Sequence, residues 1–511
     1  MPIRQPIRIL IAGLALGLVF DRLLTGRPLG VSFPLFIVLV LLALSLTMRW
    51  ESVRPLRANL WVFIPLLFFA VMVAVRANAF VTFLNVSAVI LLLGLIAVYL
   101  VRAALTAVDL PGYALFPLLA PTMSVVRGAQ VARQAAVRGA GLWQGPRRQT
   151  WTPVLRGLLL ALPIVAVFAL LLSSADLMFA ELLRRLVPED FLDFARRAAV
   201  HGSITLCVGF ILMGGLAYTV WRDDQSIEGR LPGALPPVSP LLGLTESVVA
   251  LNAVNLLFAA FVVIQIPYLF GGQLNIDLGR TTYAEYARRG FGELVLVSVL
   301  VLGLLLLLGV LTRRSAGRQT RLFNLSSTVT VGLTVVMLVS AFKRLLLYEM
   351  AYGFTEMRIY PHVFMIWLAL LLGWFLVTLW LRPGRFAIGV IIACLGFVAT
   401  LNVMDVDAFI VRRNVERYGQ LGSTAFALRD VYDPYDSRID PTYLTGLSED
   451  AIPALVQNVD RLAGEPKREV ANYLRGKLLD MESDATQRQW PAFHLAHHRA
   501  YDALARWAGG R

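Results

Sequence analysis

Long apolar runs constrain this 511-residue sequence more than any other feature. A helix needs about 20 apolar residues to cross the hydrocarbon core of a bilayer. Eleven runs approach that length, so we predict an all-α polytopic membrane protein of about eleven transmembrane helices, within bounds of ten and twelve. The runs lie at 7–22, 30–48, 60–75, 80–101, 157–174, 203–221, 247–270, 291–312, 325–345, 361–381 and 386–404.

The polar segments between the runs divide the chain into six parts. After about residue 405, charged and apolar residues alternate at helical spacing, Ser448 is placed to cap a helix, and amphipathic helices are predicted at 467–480 and 490–507. These features predict a small helical domain. The six parts are four spans at 1–101, a basic loop at 102–156, two spans at 157–221, a Pro/Gly-rich linker at 222–246, five spans at 247–404 and the C-terminal domain at 405–511.

The net charge of +14 is distributed as membrane topology requires. The loop 102–156 carries seven arginines and a single acid, Asp109, and basic loops are retained in the cytoplasm. We therefore expect a bacterial inner-membrane protein with a cytoplasmic N-terminus and, for an odd number of spans, a periplasmic C-terminus. The arginines are scattered at the ends of apolar runs, so the expected partner is the lipid bilayer and not nucleic acid.

The segment TTYAEYARRGFGEL, residues 281–294, places many polar groups just before the eighth apolar run. Thr282 and Glu285 match a capping box, and Arg289 follows Glu285 by four residues, so a capped, internally paired helix explains most of this segment. The other interpretation is a substrate or partner site at the outer surface. The candidate residues are Tyr283, Glu285, Tyr286, Arg288, Arg289 and Glu293.

A second polar segment, AFKRLLLYEMAYGFTEMRIYPH at 341–362, lies at the end of the ninth run and at the same predicted interface. Snorkelling cations and the tyrosines of an aromatic belt account for most of its composition. They do not account for the concentration of charge in these two outer segments, and if the segments meet in space they form a polar vestibule. The candidate residues of this segment are Tyr348, Glu349, Tyr352, Glu356 and Arg358.

The seventh run carries three amide side chains, those of Asn252, Asn255 and Gln265. Their spacing puts them roughly on one helical face. Amides in hydrocarbon generally face other helices, so interhelical packing is the first interpretation and a polar transport pathway is the second.

Support for enzymatic chemistry is weak. Phosphate-binding, nucleophile-elbow, zinc-protease and dinucleotide motifs are absent from the sequence, so no catalytic residue or cofactor is predicted. His494, His497 and His498 have a spacing that suits a metal, but no nearby cysteine or carboxylate completes a site, and none is predicted. Acids near Asp176 could form a pair for glycosyl chemistry, which nothing in the sequence fixes. Cys207 and Cys394 lie in apolar runs and are expected to be small buried hydrophobic residues.

Four blocks of the sequence stand out together: YAEYARRGF, LYEMAYGFTEMRIY, NVMDVDAFIVRRN and YLTGLSEDAIPAL. In this order, they resemble a bacterial multi-pass membrane family catalogued only as a domain of unknown function. The likeness covers roughly residues 155–460 and leaves out the basic loop. It implies an integral inner-membrane protein with no established activity or catalytic residues, and it draws attention to the two outer segments.

Two classes of function are consistent with these features. The first is a non-enzymatic membrane protein that senses, scaffolds or binds a periplasmic protein or envelope component through its outer loops and C-terminal domain. The alternative is a transporter, or a handler of a lipid-linked or small polar substrate, that uses the amides of the seventh span and the outer vestibule. A water-filled cavity at Asn252 or Gln265 would favour the alternative.

Overall fold

In the computed structural model, the described residues are helical almost throughout. An isolated bridge between Leu242 and Thr312 is the β-contact within the described residues. The predicted all-α fold class is confirmed. The described residues are 3–142, 189–221, 241–270, 291–313, 318–382, 384–424, 439–483 and 490–509, together with single positions at 157, 161, 165, 168, 176 and 178.

The helices are numbered consecutively over these residues. They are α1 (Pro6–Leu24), α2 (Ser32–Glu51), α3 (Phe63–Val75), α4 (Ala79–Tyr99), α5 (Leu110–Leu142), α6 (Glu189–Val220), α7 (Leu244–Phe270), α8 (Phe291–Leu311), α9 (Arg318–Tyr352), α10 (Glu356–Trp380), α11 (Phe386–Met404), α12 (Val406–Thr424), α13 (Pro441–Thr445), α14 (Ile452–Asn458), α15 (Gly464–Ser483) and α16 (Leu495–Gly509).

Nine described helices are long and apolar enough to cross a membrane, so the chain is a multi-pass membrane protein. They correspond to nine of the eleven predicted spans. Helix α1 corresponds to the first prediction but is not among the nine, and it carries Arg8, Asp21 and Arg22. The predicted span 157–174 lies outside the described residues except for isolated positions.

Helix α1 is held in the bundle by close backbone packing against α6. A Cβ at Gly17 would lie 2.2 Å from the carbonyl oxygen of Thr205, and one at Gly13 would lie 2.4 Å from Cβ of Met213. Small residues four apart let two membrane helices approach this closely. At one end of the pair, Nδ1 of His201 lies 2.7 Å from the buried Asp21 carboxylate.

The membrane helices form two packed groups that α11 joins. Helices α1–α6 share one hydrophobic core with α11, and α7–α10 share another. Helix α11 also packs along α10, where Trp374 occupies the space that a side chain at Gly389 would fill. Most of the segment predicted as a basic loop is helical, because α5 runs through it for 33 residues and packs against α1, α4 and α6.

The C-terminal domain comprises α12–α16. Ser448 caps the short turn Glu449–Ala451, as predicted, since its Oγ accepts from the backbone N–H of Asp450 at 3.3 Å. Helix α15 contains the predicted helix 467–480, and α16 contains most of the predicted helix 490–507. The hydrophobic core of the domain continues into α4, α10 and α11, so the domain is fused to the membrane helices.

The prediction that both cysteines are buried is wrong. Cys207 on α6 and Cys394 on α11 are exposed on the surface of the protein. An apolar residue in a membrane helix is stable against lipid as well as against a neighbouring helix, so an apolar run does not specify which of its side chains point inward.

Candidate functional site

Within the described residues, a strongly polar and largely buried region lies where the C-terminal domain meets the membrane helices. We call it the junction cluster, and four separate stretches of chain build it. The first stretch is the three-residue turn that joins α3 and α4 in a tight hairpin. The other three stretches are the first turn of α10, the step from α11 to α12 and the turn before α14. The cluster consists of Arg76, Asn78, Glu356, Asp405, Asp407, Ser448 and Asp450.

Arg76 organises one half of the cluster. Its Nη1 contacts the Asp405 carboxylate and lies 3.6 Å from Oδ1 of Asp450, while its Nε donates to the carbonyl oxygen of Asn402 at 2.8 Å. The backbone N–H groups of Ala77 and Asn78 donate to Oδ2 of Asp450 at 2.7 and 3.2 Å. Three residues from the C-terminal half of the chain are thereby tied to this turn, which lies near the N-terminus.

Asn78 organises the other half. Its Nδ2 donates to Oε1 of Glu356 at 2.5 Å and to both oxygens of Asp407 at 3.1 Å. Its Oδ1 meanwhile accepts from the backbone N–H of Val81 and caps α4. Ser448 completes this half, because its hydroxyl donates to Oδ2 of Asp407 at 2.5 Å. One amide therefore links two acids and a helix end.

The charges of the cluster do not balance, because four carboxyl groups lie beside one guanidinium. The protonation state of the carboxyl groups is therefore expected to affect its stability. Burial raises the pKa of Asp450 to about 6, and the neighbouring Asp405 carboxylate contributes in the same direction. Arg76 and the two backbone N–H groups oppose this rise. Burial also raises the pKa of Tyr443 to about 12, so its hydroxyl stays protonated while it accepts from the Glu356 N–H at 2.9 Å.

A pair of amides extends the cluster into the membrane helices. Asn85 on α4 and Asn402 on α11 are both fully buried, and each donates to the other's side-chain oxygen, at 2.9 and 2.7 Å. Reciprocal hydrogen bonds between two amides satisfy the donors and acceptors of both side chains where no water is available. The pair fixes α4 and α11 relative to each other near the junction cluster.

The second outer segment contributes mainly to this junction. Arg358 stacks over the Tyr348 ring at 4.3 Å and donates to the carbonyl oxygens of Tyr352 and Gly353, and the rings of Tyr348 and Tyr352 lie 5.0 Å apart. Asn414 on α12 exchanges two 2.8 Å hydrogen bonds with the backbone of Phe354. The segment thus forms a seat for the C-terminal domain.

The backbone at Gly353 makes this seat possible. Its φ of +84° is a conformation that residues with a side chain rarely adopt. A Cβ there would also lie only 2.7 Å from Oδ1 of Asn414. Glycine therefore ends α9 and lets α12 approach the turn.

Glu349 belongs to a different contact inside the membrane helices. It is 2% exposed, and its Oε1 lies 3.0 Å from Nδ1 of His362 on α10. The other ring nitrogen of His362 lies 3.3 Å from the carbonyl oxygen of Phe342. His362 was not among the residues predicted from the sequence. An ionisable residue inside an apolar run was the signal that could have found it.

The three amides of the seventh span do not act together. Asn255 is buried, and its Nδ2 donates to the carbonyl oxygen of Ser326 at 3.1 Å while its Oδ1 accepts from Thr330 at 2.7 Å. Gln265 is buried and accepts from Nη2 of Arg344 at 2.7 Å. Asn252 is exposed on the outside of α7. The contacts of Asn255 and Gln265 are interhelical packing contacts with α9.

Most of the first outer segment lies outside the described residues. Of its candidates, Glu293 is described, and it is exposed in the first turn of α8. The capping box at Thr282 and Glu285, and the meeting of the two outer segments, therefore stay predictions. The candidates outside the described residues are Tyr283, Glu285, Tyr286, Arg288 and Arg289.

The three C-terminal histidines each contact a different group. Nε2 of His494 lies 3.1 Å from the carbonyl oxygen of Val73, Nδ1 of His497 lies 3.0 Å from Glu449, and His498 lies 3.5 Å from Asp502. Among the described residues, no group of three ligating side chains is arranged to hold a metal ion. Asp176 accepts from the backbone N–H of Met178 at 2.7 Å.

These features define an all-α, multi-pass membrane protein whose C-terminal helical domain packs directly against the membrane helices. The chain belongs to the family described as Domain of unknown function (DUF4153), whose sequence model matches residues 63–458. The predicted family is confirmed, but the match begins well before residue 155 and includes the basic segment. No curated protein and no solved structure matches the chain.

The junction cluster gives three of the four family blocks a common location. Glu356 lies in the second block, Asp405 and Asp407 in the third, and Ser448 and Asp450 in the fourth. Glu356 is the one member of the cluster that was predicted as a site residue. The members from the third and fourth blocks were not selected individually, and Arg76 and Asn78 were missed because they lie in a short turn far from these blocks. A polar Arg-Ala-Asn turn between two apolar runs was the available signal.

Proposed function

We propose that this protein is a non-enzymatic component of a bacterial inner membrane whose C-terminal domain senses or binds a periplasmic component. The junction cluster is the observation that carries the proposal. It couples the position of the domain to α3, α4, α10 and α11 through buried ionic contacts. A ligand that moves the domain therefore moves the outer ends of these helices, as a sensor or assembly protein requires.

The distribution of charge supports a cytoplasmic N-terminus and a periplasmic domain. Arg138 near the end of α5 donates to the carbonyl oxygen of Arg4, so the basic segment lies beside the N-terminus. The carboxyl-rich junction cluster lies at the opposite ends of α3 and α4 from Arg57 and Arg102, the arginines that flank this hairpin. Arginine-rich ends are retained in the cytoplasm.

Transport receives less support. The hydrogen-bonding groups of Asn255 are used by Ser326 and Thr330, and Gln265 is used by Arg344. A polar pathway needs such groups to face water or substrate. The third amide, that of Asn252, lies on the outer surface of its helix.

Thiol labelling tests the topology. In a background with Cys207→Ser and Cys394→Ser, single cysteines at the exposed positions Ser483 and Val137 would be treated with a membrane-impermeant maleimide. We expect Ser483→Cys to react in intact cells and Val137→Cys to react only after lysis. The reverse pattern contradicts the proposed orientation.

Photo-crosslinking tests the role. A photoreactive residue at Trp490, which is 61% exposed on the C-terminal domain, should form a discrete adduct in intact cells, whereas one at Val137 should not form the same adduct. Asn78→Ser keeps a capping oxygen but removes the amide donor, so it should diminish the Trp490 adduct while the protein persists in the membrane. Solute uptake by proteoliposomes, together with no adduct in the domain, would contradict the proposal in favour of transport.

A further inference from the structure

A groove runs between α1 and α2 on the outside of the bundle. It has a volume of about 510 Å³, and apart from Arg8 at one end its lining is apolar or aromatic. Three alanines, Ala12 and Ala15 on α1 and Ala43 on α2, lie along it. Small side chains leave a depression where leucine or isoleucine would fill the surface.

The length of the groove matches one leaflet of a bilayer. Its lining extends from Arg8 to Val19 along α1 and from Trp50 to Leu39 along α2. Eleven residues of helix correspond to about 16 Å, and half of a hydrocarbon core is about 15 Å. The groove therefore reaches from the interface, where Arg8 and Trp50 lie, to about the bilayer centre.

The end of the groove has the chemistry of a headgroup site. The Arg8 guanidinium lies 5.9 Å from the centre of the Trp50 ring, and it is exposed. The nearest acid along α2, Glu51, accepts instead from the backbone N–H groups of Arg4 and Gln5, both at 2.8 Å. An arginine beside an interfacial tryptophan suits a phosphate at the level of lipid headgroups.

We propose that this groove is a binding site for an anionic phospholipid. One acyl chain lies along Ala12, Ala15 and Ala43, and the phosphate is bound by the Arg8 guanidinium. Charge complementarity selects the headgroup, and the match to one leaflet selects a lipid chain over a free anion, which would gain nothing from the apolar channel. The site does not depend on the role of the C-terminal domain.

Lipid titration of the purified full-length protein tests this site. Native mass spectrometry would count the phosphatidylglycerol and phosphatidylcholine molecules retained by the wild type, by Arg8→Gln and by Arg54→Gln. Arg54 is an exposed arginine just beyond the same end of α2, so it controls for the lost charge. We expect Arg8→Gln to weaken retention of one phosphatidylglycerol about tenfold, as the loss of a hydrogen bond to a charged group predicts. Arg54→Gln should resemble the wild type.

A second pair of variants tests the acyl-chain part without changing charge. Ala15→Phe fills the groove and should displace the same phosphatidylglycerol, whereas Val38→Phe, at an exposed position of α2 outside the groove, should not. Equal retention of both lipids, equal behaviour of Arg8→Gln and Arg54→Gln, or no effect of Ala15→Phe would each overturn the proposal. Displacement of the lipid by millimolar inorganic phosphate would identify a free-anion site instead, and a dimer that Ala15→Phe dissociates would identify a second copy as the occupant.

Discussion

The junction cluster and the polar contacts between α7 and α9 satisfy buried polar groups in different ways. Between α7 and α9, Asn255 and Gln265 each bond to residues on one neighbouring helix. In the junction cluster, the single side chain of Asn78 bonds to residues of both α10 and α12 and also caps α4. Pairwise contacts position two helices, whereas shared contacts make four segments depend on one another. We expect the second arrangement to fail more completely when one member is removed.

Loss of the cation should have the largest effect. Arg76→Met leaves the carboxylates of Asp405 and Asp450 without their ion-pair partner, and breaking such a pair costs about 3 kcal/mol when it is buried. We expect the C-terminal domain to become protease-sensitive in protein reconstituted into nanodiscs. The matched control is Arg57→Met, an exposed arginine at the other end of the α3 segment. Equal protease resistance of the two variants would remove the distinction between the two regions.

Protonation of Asp450 should have a smaller effect with a defined sign. Because its folded-state pKa, about 6, lies above the usual 3.8, the folded state gains stability as pH falls through 6, and this gain is complete below 3.8. Between pH 7 and pH 5 the wild type should gain about 1 kcal/mol relative to Asp450→Asn. Thermal unfolding of the full-length protein at several pH values measures this difference.

Two neighbouring groups must be separated from that measurement. Burial lowers the pKa of His494, so its contribution falls as pH drops below 6.5, opposite to that of Asp450. Burial opposes ionisation of Glu449, but His497 and Lys477 outweigh it and lower its pKa, so its contribution is lost only below its usual value of 4.5. The wild type and Asp450→Asn both carry these two groups, so their contributions cancel in the difference between the two unfolding free energies. A difference that does not change with pH would show that Asp450 stays ionised.

The smallest effect should come from the pairwise region. Asn255→Leu removes the interhelical hydrogen bonds with Ser326 and Thr330. Such a bond is worth about 0.6 kcal/mol in membrane proteins, and burial of the apolar leucine offsets part of the loss. Asn252→Leu is the control, because Asn252 is exposed on the same helix and should be neutral. Thermal unfolding in detergent distinguishes them. A loss for Asn255→Leu as large as that for Arg76→Met would show that α7 and α9 are coupled to the rest of the protein like the junction.

The apolar runs predicted the membrane helices well, because length and composition alone decide whether a segment can cross a bilayer. They could not predict which side chains face inward, as Cys207, Cys394 and Asn252 show. The second outer segment was correctly recognised as a polar concentration, but its role as a seat depends on Asn414, a partner that periodicity does not reveal. Whether it also meets the first outer segment stays a prediction.

The contact between Ala77 and Asp450 has a consequence for how the chain is made. These residues are 373 positions apart, and synthesis at about 5–20 residues per second separates them by roughly 20–75 s. During that interval the hairpin of α3 and α4 is already long enough to enter the membrane. The backbone N–H groups of its turn and the Arg76 guanidinium still lack their partners Asp405 and Asp450. The membrane bundle therefore reaches its final form only after the C-terminal domain has been translated and folded against it.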